Sequence, residues 1–272
     1  MKFSTENLPH LVIALTFSYA TSGYAQSLDN IVETQVLQGW RTDSGTHIAA
    51  IQIDLAPGWK TYWRAPGDAG IPPRFDWSRS RNLNAIEIFW PRPDIFDTAG
   101  ITTVGYHDQL ILPIAFQPIR ADGEIQLNAQ VNIGVCENIC IPFEFSVSAT
   151  LSATASQTDS VISTALAQQP QSADQAGVAN VICEIAPIRD GLRLSADIDA
   201  PRLSHNEVAV VELPDQSIWI SEATTQRSGR MLTAEVEMVP PNAQPFALDR
   251  SEVRITIIGD DRAINIEGCR GR

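Results

Sequence analysis

Two stretches near the middle of the chain alternate strictly between apolar and polar residues. The first runs from Ile125 to Val135 and the second from Phe143 to Leu151. A period of two places alternate side chains on opposite faces of a β-strand, so each stretch predicts a strand with one buried and one solvated face. The short segment between them predicts a turn of about three residues, and hence a β-hairpin.

The same alternation recurs on both sides of this hairpin. Ile51, Ile53 and Leu55 alternate with polar residues in an early strand, and residues 192–198 alternate in the same way later in the chain. Pro-Gly, Pro-Pro and Asp-Gly pairs separate the strands of the first half. Short strands with turns between them predict an all-β chain built from β-sandwiches.

A change in composition divides the strands into two groups. Residues 152–178 are rich in Ser, Ala, Thr and Gln, which predicts a polar linker with one short helix over residues 159–168, ended by Pro170. We expect residues 28–151 to form one β-sandwich domain and residues 179–272 a second. A chain of 272 residues is long enough for two such cores.

The first residues have the pattern of a signal peptide. Lys2 precedes a short apolar run over residues 11–20, which is too short to span a bilayer, and residues 23–25 form a small-x-small cleavage site. We expect residues 1–25 to be removed and the mature protein to be soluble and periplasmic, where disulfides persist. An uncleaved N-terminal anchor is the alternative.

Charge and motifs exclude several classes of function. The chain has 19 Lys and Arg against 32 Asp and Glu, a net charge of −13. Nucleic-acid binding needs a basic surface, so we expect no nucleic-acid partner, and an anionic membrane surface is equally disfavoured. There is no glycine-rich phosphate loop and no nucleophile-elbow motif, and we expect no cofactor.

Cys136 and Cys140 lie on either side of the predicted hairpin turn. By position parity Cys136 shares a face with Asn132, and Cys140 shares one with Glu144, so both thiols are predicted on the polar face. A disulfide between them would close a very small ring, and strained or exposed disulfides are the ones most easily reduced. This placement favours redox chemistry over a purely structural bridge.

The four cysteines allow three pairings. We favour Cys136–Cys140 and Cys183–Cys269, because Cys183 lies in an early strand of the second domain and Cys269 follows its last strand. The second bridge would then tie the ends of that domain together. We expect it to be structural and to contribute about 4–5 kcal/mol.

Several motifs of the first half occur together in one known family. Taken with the cysteine pair, they resemble the N-terminal domain of the DsbD family of periplasmic thiol-disulfide reductases, and its ScsB-like relatives, over residues 35–150. The motifs are Gly58-Trp59-Lys60-Thr61-Tyr62-Trp63, Trp90-Pro91 with Phe96 and Gly100, Gly105-Tyr106 leading into Leu110-Ile111-Leu112-Pro113, and Cys136 and Cys140 followed by Ile141-Pro142.

The resemblance implies a fold and a site. It implies an immunoglobulin-like first domain in which Cys136 and Cys140 are the catalytic pair, with Cys140 the attacking cysteine. Family members shield the pair with a cap loop that carries a Phe, and residues 94–100 resemble that loop, so Phe96 would be the cap residue. Tyr62 and Tyr106 resemble aromatic positions near the pair.

The resemblance also implies partners. Full-length family members carry a transmembrane electron-transfer domain and a thioredoxin-like domain, and this chain resembles neither. We therefore expect electrons to come from a separate, membrane-embedded DsbD/CcdA-like thiol reductase. Periplasmic thioredoxin-like or disulfide isomerase proteins are the expected acceptors.

Two other functions compete with this hypothesis. The chain could be an exported binding or assembly module whose disulfides are purely structural, in which case its bridges should resist mild reductant. It could also handle copper, since thiolates suit Cu(I), but His47, His107 and His205 are scattered and no His or Met lies near the cysteine pair in sequence. We therefore expect no metal site.

Overall fold

The computed structural model describes residues 31–98 and 100–272, and the predicted signal peptide lies outside them. These residues form two β-sandwiches in succession, so the predicted all-β, two-sandwich fold is confirmed. Among the described residues, no helix combines the length and apolar character that crossing a membrane requires.

The first sandwich has an immunoglobulin-like arrangement of ten strands. Its strands are β1 (Val32–Arg41), β2 (His47–Leu55), β3 (Lys60–Tyr62), β4 (Arg74–Asp76), β5 (Ala85–Ile88), β6 (Asp94–Thr98), β7 (Ile101–His107), β8 (Gln109–Gln117), β9 (Ile125–Cys136) and β10 (Cys140–Leu151). One sheet has the order β1-β2-β8-β5. The other has the order β10-β9-β3-β7-β6, with β4 also paired to β9.

The alternating positions of the central hairpin explain how this sandwich closes. Along β9, Ile125, Leu127, Ala129, Val131 and Ile133 are all buried, and they face the apolar side of the other sheet. The β9–β10 register runs without interruption from Cys136↔Cys140 to Ile125↔Leu151, with residues 137–139 as the turn. The predicted hairpin and its turn length are confirmed.

The segment after the first sandwich contains the predicted helix, α1 (Ser160–Ala167). Asp159 caps its start, because the carboxylate accepts hydrogen bonds from the amides of Val161 and Ile162 at 2.8 and 3.2 Å. Ile162 is fully buried, and the helix lies against β8. This part of the chain therefore packs on the first sandwich.

The second sandwich also has ten strands. They are β11 (Gln171–Ser172), β12 (Asn180–Ile188), β13 (Gly191–Asp199), β14 (Val208–Glu212), β15 (Trp219–Ile220), β16 (Thr224–Ser228), β17 (Met231–Val239), β18 (Arg254–Ile258), β19 (Ala263–Glu267) and β20 (Arg270–Gly271). They form two sheets, with orders β11-β19-β18-β14 and β15-β17-β13-β12-β20, and β16 also pairs with β17. The core is a separate cluster of buried aliphatic side chains that includes Leu194, Ile198 and Ile255.

The two sandwiches are in direct contact. Ile258 and Ala263, at the ends of β18 and β19, are buried with the core residues of the first sandwich. The connection between β3 and β4 also reaches the second sandwich, through Arg64 and Asp68.

Candidate functional site

The two cysteines of the hairpin face each other at its end. Cys136 is the last residue of β9, Cys140 is the first of β10, and the two are register partners joined by a disulfide. Directly opposed residues of an antiparallel pair bring their Cβ atoms close together, which favours this bridge. Pairing of β9 with β10 is therefore sufficient to bring the two cysteines together.

The two sulfur-bearing residues differ in exposure. Cys140 is exposed, whereas Cys136 is only 5% exposed. The expectation of a solvated face is therefore wrong for Cys136. The reason lies at Gly134, on the same face of β9, where an added Cβ would be 2.6 Å from the Ile71 Cβ and 2.8 Å from the Tyr62 ring. These two side chains cover this end of the strand.

Tyr62 contacts the disulfide directly. Its hydroxyl lies 2.9 Å from the Cys140 Sγ, and it must be the donor because a disulfide sulfur carries no hydrogen. The side chain is 1% exposed, and this burial raises the pKa of the Tyr62 hydroxyl. The hydroxyl therefore keeps its proton, and it can donate to a thiolate formed at Cys140.

Lys60 is a site residue that sequence reasoning missed. It is the register partner of Cys136 on β3, although the two are far apart in sequence. Its Nζ donates to the Thr103 hydroxyl at 3.2 Å and lies 4.7 Å from the centre of the Phe96 ring, and partial burial lowers the pKa of its ammonium group. The alternation of Lys60 and Tyr62 along one short strand is the signal that could have placed both on this face.

The predicted cap residue Phe96 lies on the same face but on a more distant strand. The segment expected to be a cap loop forms β6 and the turn that follows it, and β6 is separated from β9 by β3 and β7. The Phe96 ring contacts Lys60 and lies edge-on to His107, with their centroids 6.2 Å apart. Phe96 therefore covers Lys60, which in turn lies beside Cys136.

Tyr106 is placed differently from the expectation. It pairs with Thr61 on β3, so it faces the interior of the sandwich, whereas its neighbour His107 shares the face of Lys60 and Cys136. The Tyr106 hydroxyl donates to the Pro91 carbonyl at 2.9 Å, and burial raises the pKa of this hydroxyl well above its ordinary value. Tyr106 supports the sheet from its core side and does not cover the sulfur atoms.

The other cysteine pair lies in the second sandwich. Cys183, on β12, is fully buried and forms a disulfide with Cys269, which precedes β20. The bridge holds the C-terminal strand beside β12, which pairs with it in parallel. Within residues 31–98 and 100–272, no three or more His, Cys, Asp or Glu side chains come together in a way that could hold a metal ion.

Comparison with known proteins agrees with the first domain's architecture. The profile of the family "Thiol:disulfide interchange protein DsbD, N-terminal" matches residues 31–152. The fold is similar to that of the N-terminal periplasmic domain of ScsB from Proteus mirabilis, at a TM-score of 0.68 and 21% sequence identity, covering 92% of this chain and 98% of that one. No curated protein matches the sequence.

Proposed function

We propose, from the premise that residues 31–152 belong to the DsbD N-terminal domain family, that Cys136 and Cys140 carry out thiol-disulfide exchange with periplasmic partner proteins. The observation that supports this proposal is that the two cysteines differ in exposure and in hydrogen bonding. Cys140 is exposed and receives a hydrogen bond from Tyr62, whereas Cys136 is buried behind it. An incoming thiolate can therefore reach one sulfur more readily than the other.

Reduction of the pair would proceed in two displacements. A thiolate of the electron donor attacks the Cys140 Sγ, the bond between Cys140 and Cys136 breaks, and Cys136 leaves as a thiolate that takes up a proton. The donor's second thiol then attacks the mixed disulfide and releases Cys140, so the donor becomes a disulfide and two electrons have passed to the pair. The Tyr62 hydroxyl donates to the Cys140 thiolate as it forms.

Delivery to an acceptor is the same chemistry in the opposite direction. The Cys140 thiolate attacks the acceptor's disulfide and releases one acceptor sulfur as a thiolate. The Cys136 thiolate then attacks Cys140 in the mixed disulfide and releases the second acceptor sulfur, which restores the Cys136–Cys140 bond and leaves the acceptor as a dithiol. We propose a membrane-embedded DsbD/CcdA-like thiol reductase as donor, and thioredoxin-like or disulfide isomerase proteins of the periplasm as acceptors. Family membership supports both assignments.

The test is the reduction potential of the Cys136–Cys140 pair. Mature protein is equilibrated in thiol redox buffers, alkylated and mapped by mass spectrometry. We expect a potential between about −120 and −270 mV, the range of exchange proteins, with Cys183–Cys269 still oxidised. A potential below about −300 mV would mean a structural bridge and would favour a binding or assembly module instead.

Substitution of either cysteine should abolish exchange without unfolding the protein. In Cys136→Ser and Cys140→Ser variants the pair cannot complete the cycle, because one sulfur is needed to attack and the other to resolve. The measurement is reduction of a model protein disulfide, with circular dichroism as the check on folding. Exchange retained by both variants would contradict the assignment.

A further inference from the structure

The connection between β3 and β4, residues 63–73, packs over the covered side of the disulfide. β3 pairs with β9 at Cys136 and Val135, and β4 pairs with β9 from Asn132 onward. The connection therefore lies beside the part of β9 around Gly134, between these two paired stretches. Ile71 lies against Gly134 beside the Tyr62 ring. At Gly70, an added Cβ would be 3.1 Å from the Tyr62 Cδ1. The position of the Tyr62 ring therefore depends on this connection.

The second domain contacts the same connection at two points, Arg64–Glu212 and Asp68–Trp219, and we call these two contacts the ties. Glu212 of β14 receives two hydrogen bonds from the Arg64 guanidinium, at 2.8 and 2.9 Å. The indole of Trp219, on β15, donates to the Asp68 carboxylate at 2.9 Å. Both contacts cross from one sandwich to the other.

The two ties differ in their surroundings. The Arg64 and Glu212 side chains are 19% and 16% exposed, and the guanidinium lies 4.1 Å from the ring of fully buried Trp63. Asp68 and Trp219 are exposed. All four tie residues border a cavity of about 570 Å³ between the sandwiches, so the connection has room to move if the ties are cut.

From these contacts we propose that the second domain is a positioning element for the redox site: through Arg64–Glu212 and Asp68–Trp219 it holds residues 63–73 so that Tyr62 stays on Cys140. The four tie residues are positioning residues, because none contacts the sulfur atoms. The inference rests on the proposed function for its chemical meaning. It assigns a role to a domain in which the sequence showed nothing catalytic.

In the reduced protein, the hydrogen bond from Tyr62 should affect the thiolate fraction of Cys140. A Cys140 thiolate that keeps its hydrogen bond from Tyr62 is stabilised relative to the thiol, and a charge-assisted hydrogen bond of this kind changes an equilibrium by about tenfold or more. Cutting both ties should release the hydroxyl and reduce the thiolate fraction of Cys140 at neutral pH by about tenfold. Because a thiolate of higher pKa is also a better nucleophile, with a Brønsted coefficient of about 0.4–0.5, alkylation of Cys140 at pH 7 should slow by about three- to fourfold.

The experiment compares variants in a Cys136→Ser background, in which Cys140 is the free thiol. Glu212→Ala combined with Trp219→Phe cuts both ties from the second-domain side and leaves the first domain otherwise unchanged. Rates of iodoacetamide alkylation are measured against pH, with peptide mapping to confirm the site. Asp199→Ala, which breaks the surface ion pair with Arg230 within the second domain, is the matched control and should leave the profile unchanged.

Tyr62→Phe provides the decisive second arm. If the ties act through Tyr62, Tyr62→Phe alone should shift the profile to the same extent, and cutting the ties in a Tyr62→Phe protein should add nothing further. Asp68→Ala should give part of the shift, and Asp68→Asn, which retains an oxygen acceptor for Trp219, should restore the original profile. An unchanged profile in the tie variant, or equal slowing with and without the Tyr62 hydroxyl, would overturn the proposal.

These readouts remain valid whatever the outcome for the proposed function. The alkylation profile of Cys140 needs no partner protein, so it tests positioning alone. The potential of the wild-type pair tests exchange alone. If the tie variant fails to fold by circular dichroism, Trp219→Phe alone removes the indole N–H donor, keeps an aromatic side chain, and should still shift the profile in the same direction.

Discussion

At the scale of single residues, the hydrogen bond from Tyr62 gives the two sulfur atoms different environments. Reduction places a thiolate on a sulfur, and Cys140 already has a protonated hydroxyl pointing at it, whereas Cys136 lies under the cover formed by Ile71 and Tyr62. Gly134 is what allows this cover to approach β9. The absence of a side chain at this position therefore lets Ile71 and the Tyr62 ring lie against β9.

Gly134→Ala should destabilise the protein by about 1–3 kcal/mol, the usual cost of forcing an extra methyl group into a packed site. The added methyl would be 2.6 Å from the Ile71 Cβ, so Ile71 or Tyr62 must move. Urea unfolding measures the change in free energy. Gly271→Ala is the control, since a Cβ there meets only the end of the Arg250 side chain at 3.6 Å and should change stability by less than about 0.5 kcal/mol.

His47 should make stability depend on pH. Its ring is fully buried, with Nε2 2.6 Å from the Gln38 carbonyl oxygen, and burial, reinforced by the charge of Arg41, lowers the pKa of the imidazole although the Gln38 carbonyl opposes this. The unfolded chain therefore binds a proton more readily than the folded one. Stability is complete above the ordinary His pKa of about 6.5 and should fall as the pH is lowered below it.

The size of this effect can be checked by urea unfolding between pH 7.5 and 5.5. One proton contributes a slope of at most about 1.4 kcal/mol per pH unit. His47→Gln should reduce that slope, whereas His205→Gln, at an exposed position, should leave it unchanged. Equal slopes in wild type and His47→Gln would show that the imidazole is not the group responsible.

At the scale of elements, the two disulfides differ in what they connect. Cys136–Cys140 joins neighbouring strand ends four residues apart and constrains little of the chain, whereas Cys183–Cys269 closes a separation of 86 residues. The long loop is the one whose closure restricts the unfolded state most. The positions of the two bridges therefore favour an exchange role for Cys136–Cys140 and a structural role for Cys183–Cys269.

Removal of the long-range bridge should lower stability without affecting exchange. We expect Cys183→Ala with Cys269→Ala to lower the free energy of unfolding by about 2–5 kcal/mol. Thermal or urea unfolding measures the loss, and the reduction potential of Cys136–Cys140 measured on the same protein should be unchanged. A shift in that potential at a temperature where the variant is folded would contradict a purely structural role.

The β6–β7 hairpin shows where local pattern was least informative. The resemblance implied a cap loop over residues 94–100, and of these Asp94–Thr98 form a strand paired to β7 as far as Thr98↔Ile101. Ile95 and Phe96 are adjacent apolar residues, which do not alternate, so the period of two is absent here. Pairing with a neighbouring strand decides the structure of this segment.

At the scale of the whole molecule, the two sandwiches are linked by more than the chain that joins them. Arg64 and Glu212 form a bidentate ion pair across the interface, and Thr256 lies 3.5 Å from the same guanidinium. Planar, two-point recognition of a carboxylate is the geometry in which Arg is most effective. The pair should therefore couple the stabilities of the two sandwiches.

A double-mutant cycle measures this coupling. Arg64→Gln and Glu212→Gln should each destabilise the protein, because each leaves a partly buried charge unpaired, and the double variant should lose less than their sum. We expect a coupling energy of about 1–3 kcal/mol from urea unfolding. Strictly additive effects would show that the two side chains contribute independently.

Several features of the fold depend only on neighbouring residues and could be predicted from the sequence. The period of two predicted the β9–β10 hairpin, position parity placed Cys136 and Cys140 on the same face of their strands, and Pro170 at the end of residues 159–168 predicted the short helix. Each of these depends on backbone geometry that repeats within a few residues. Local sequence is sufficient for such features.

The surroundings of the disulfide depend on contacts between distant parts of the chain. Lys60 and Tyr62 lie beside the cysteines because β3 pairs with β9, Tyr106 faces the core because of the same register, and Arg64 meets Glu212 because the sandwiches pack together. Alternation states which residues share a face of one strand, but not which strand lies next to it. That choice is made by packing between distant parts of the chain, and it determines which cysteine is covered and which is exposed.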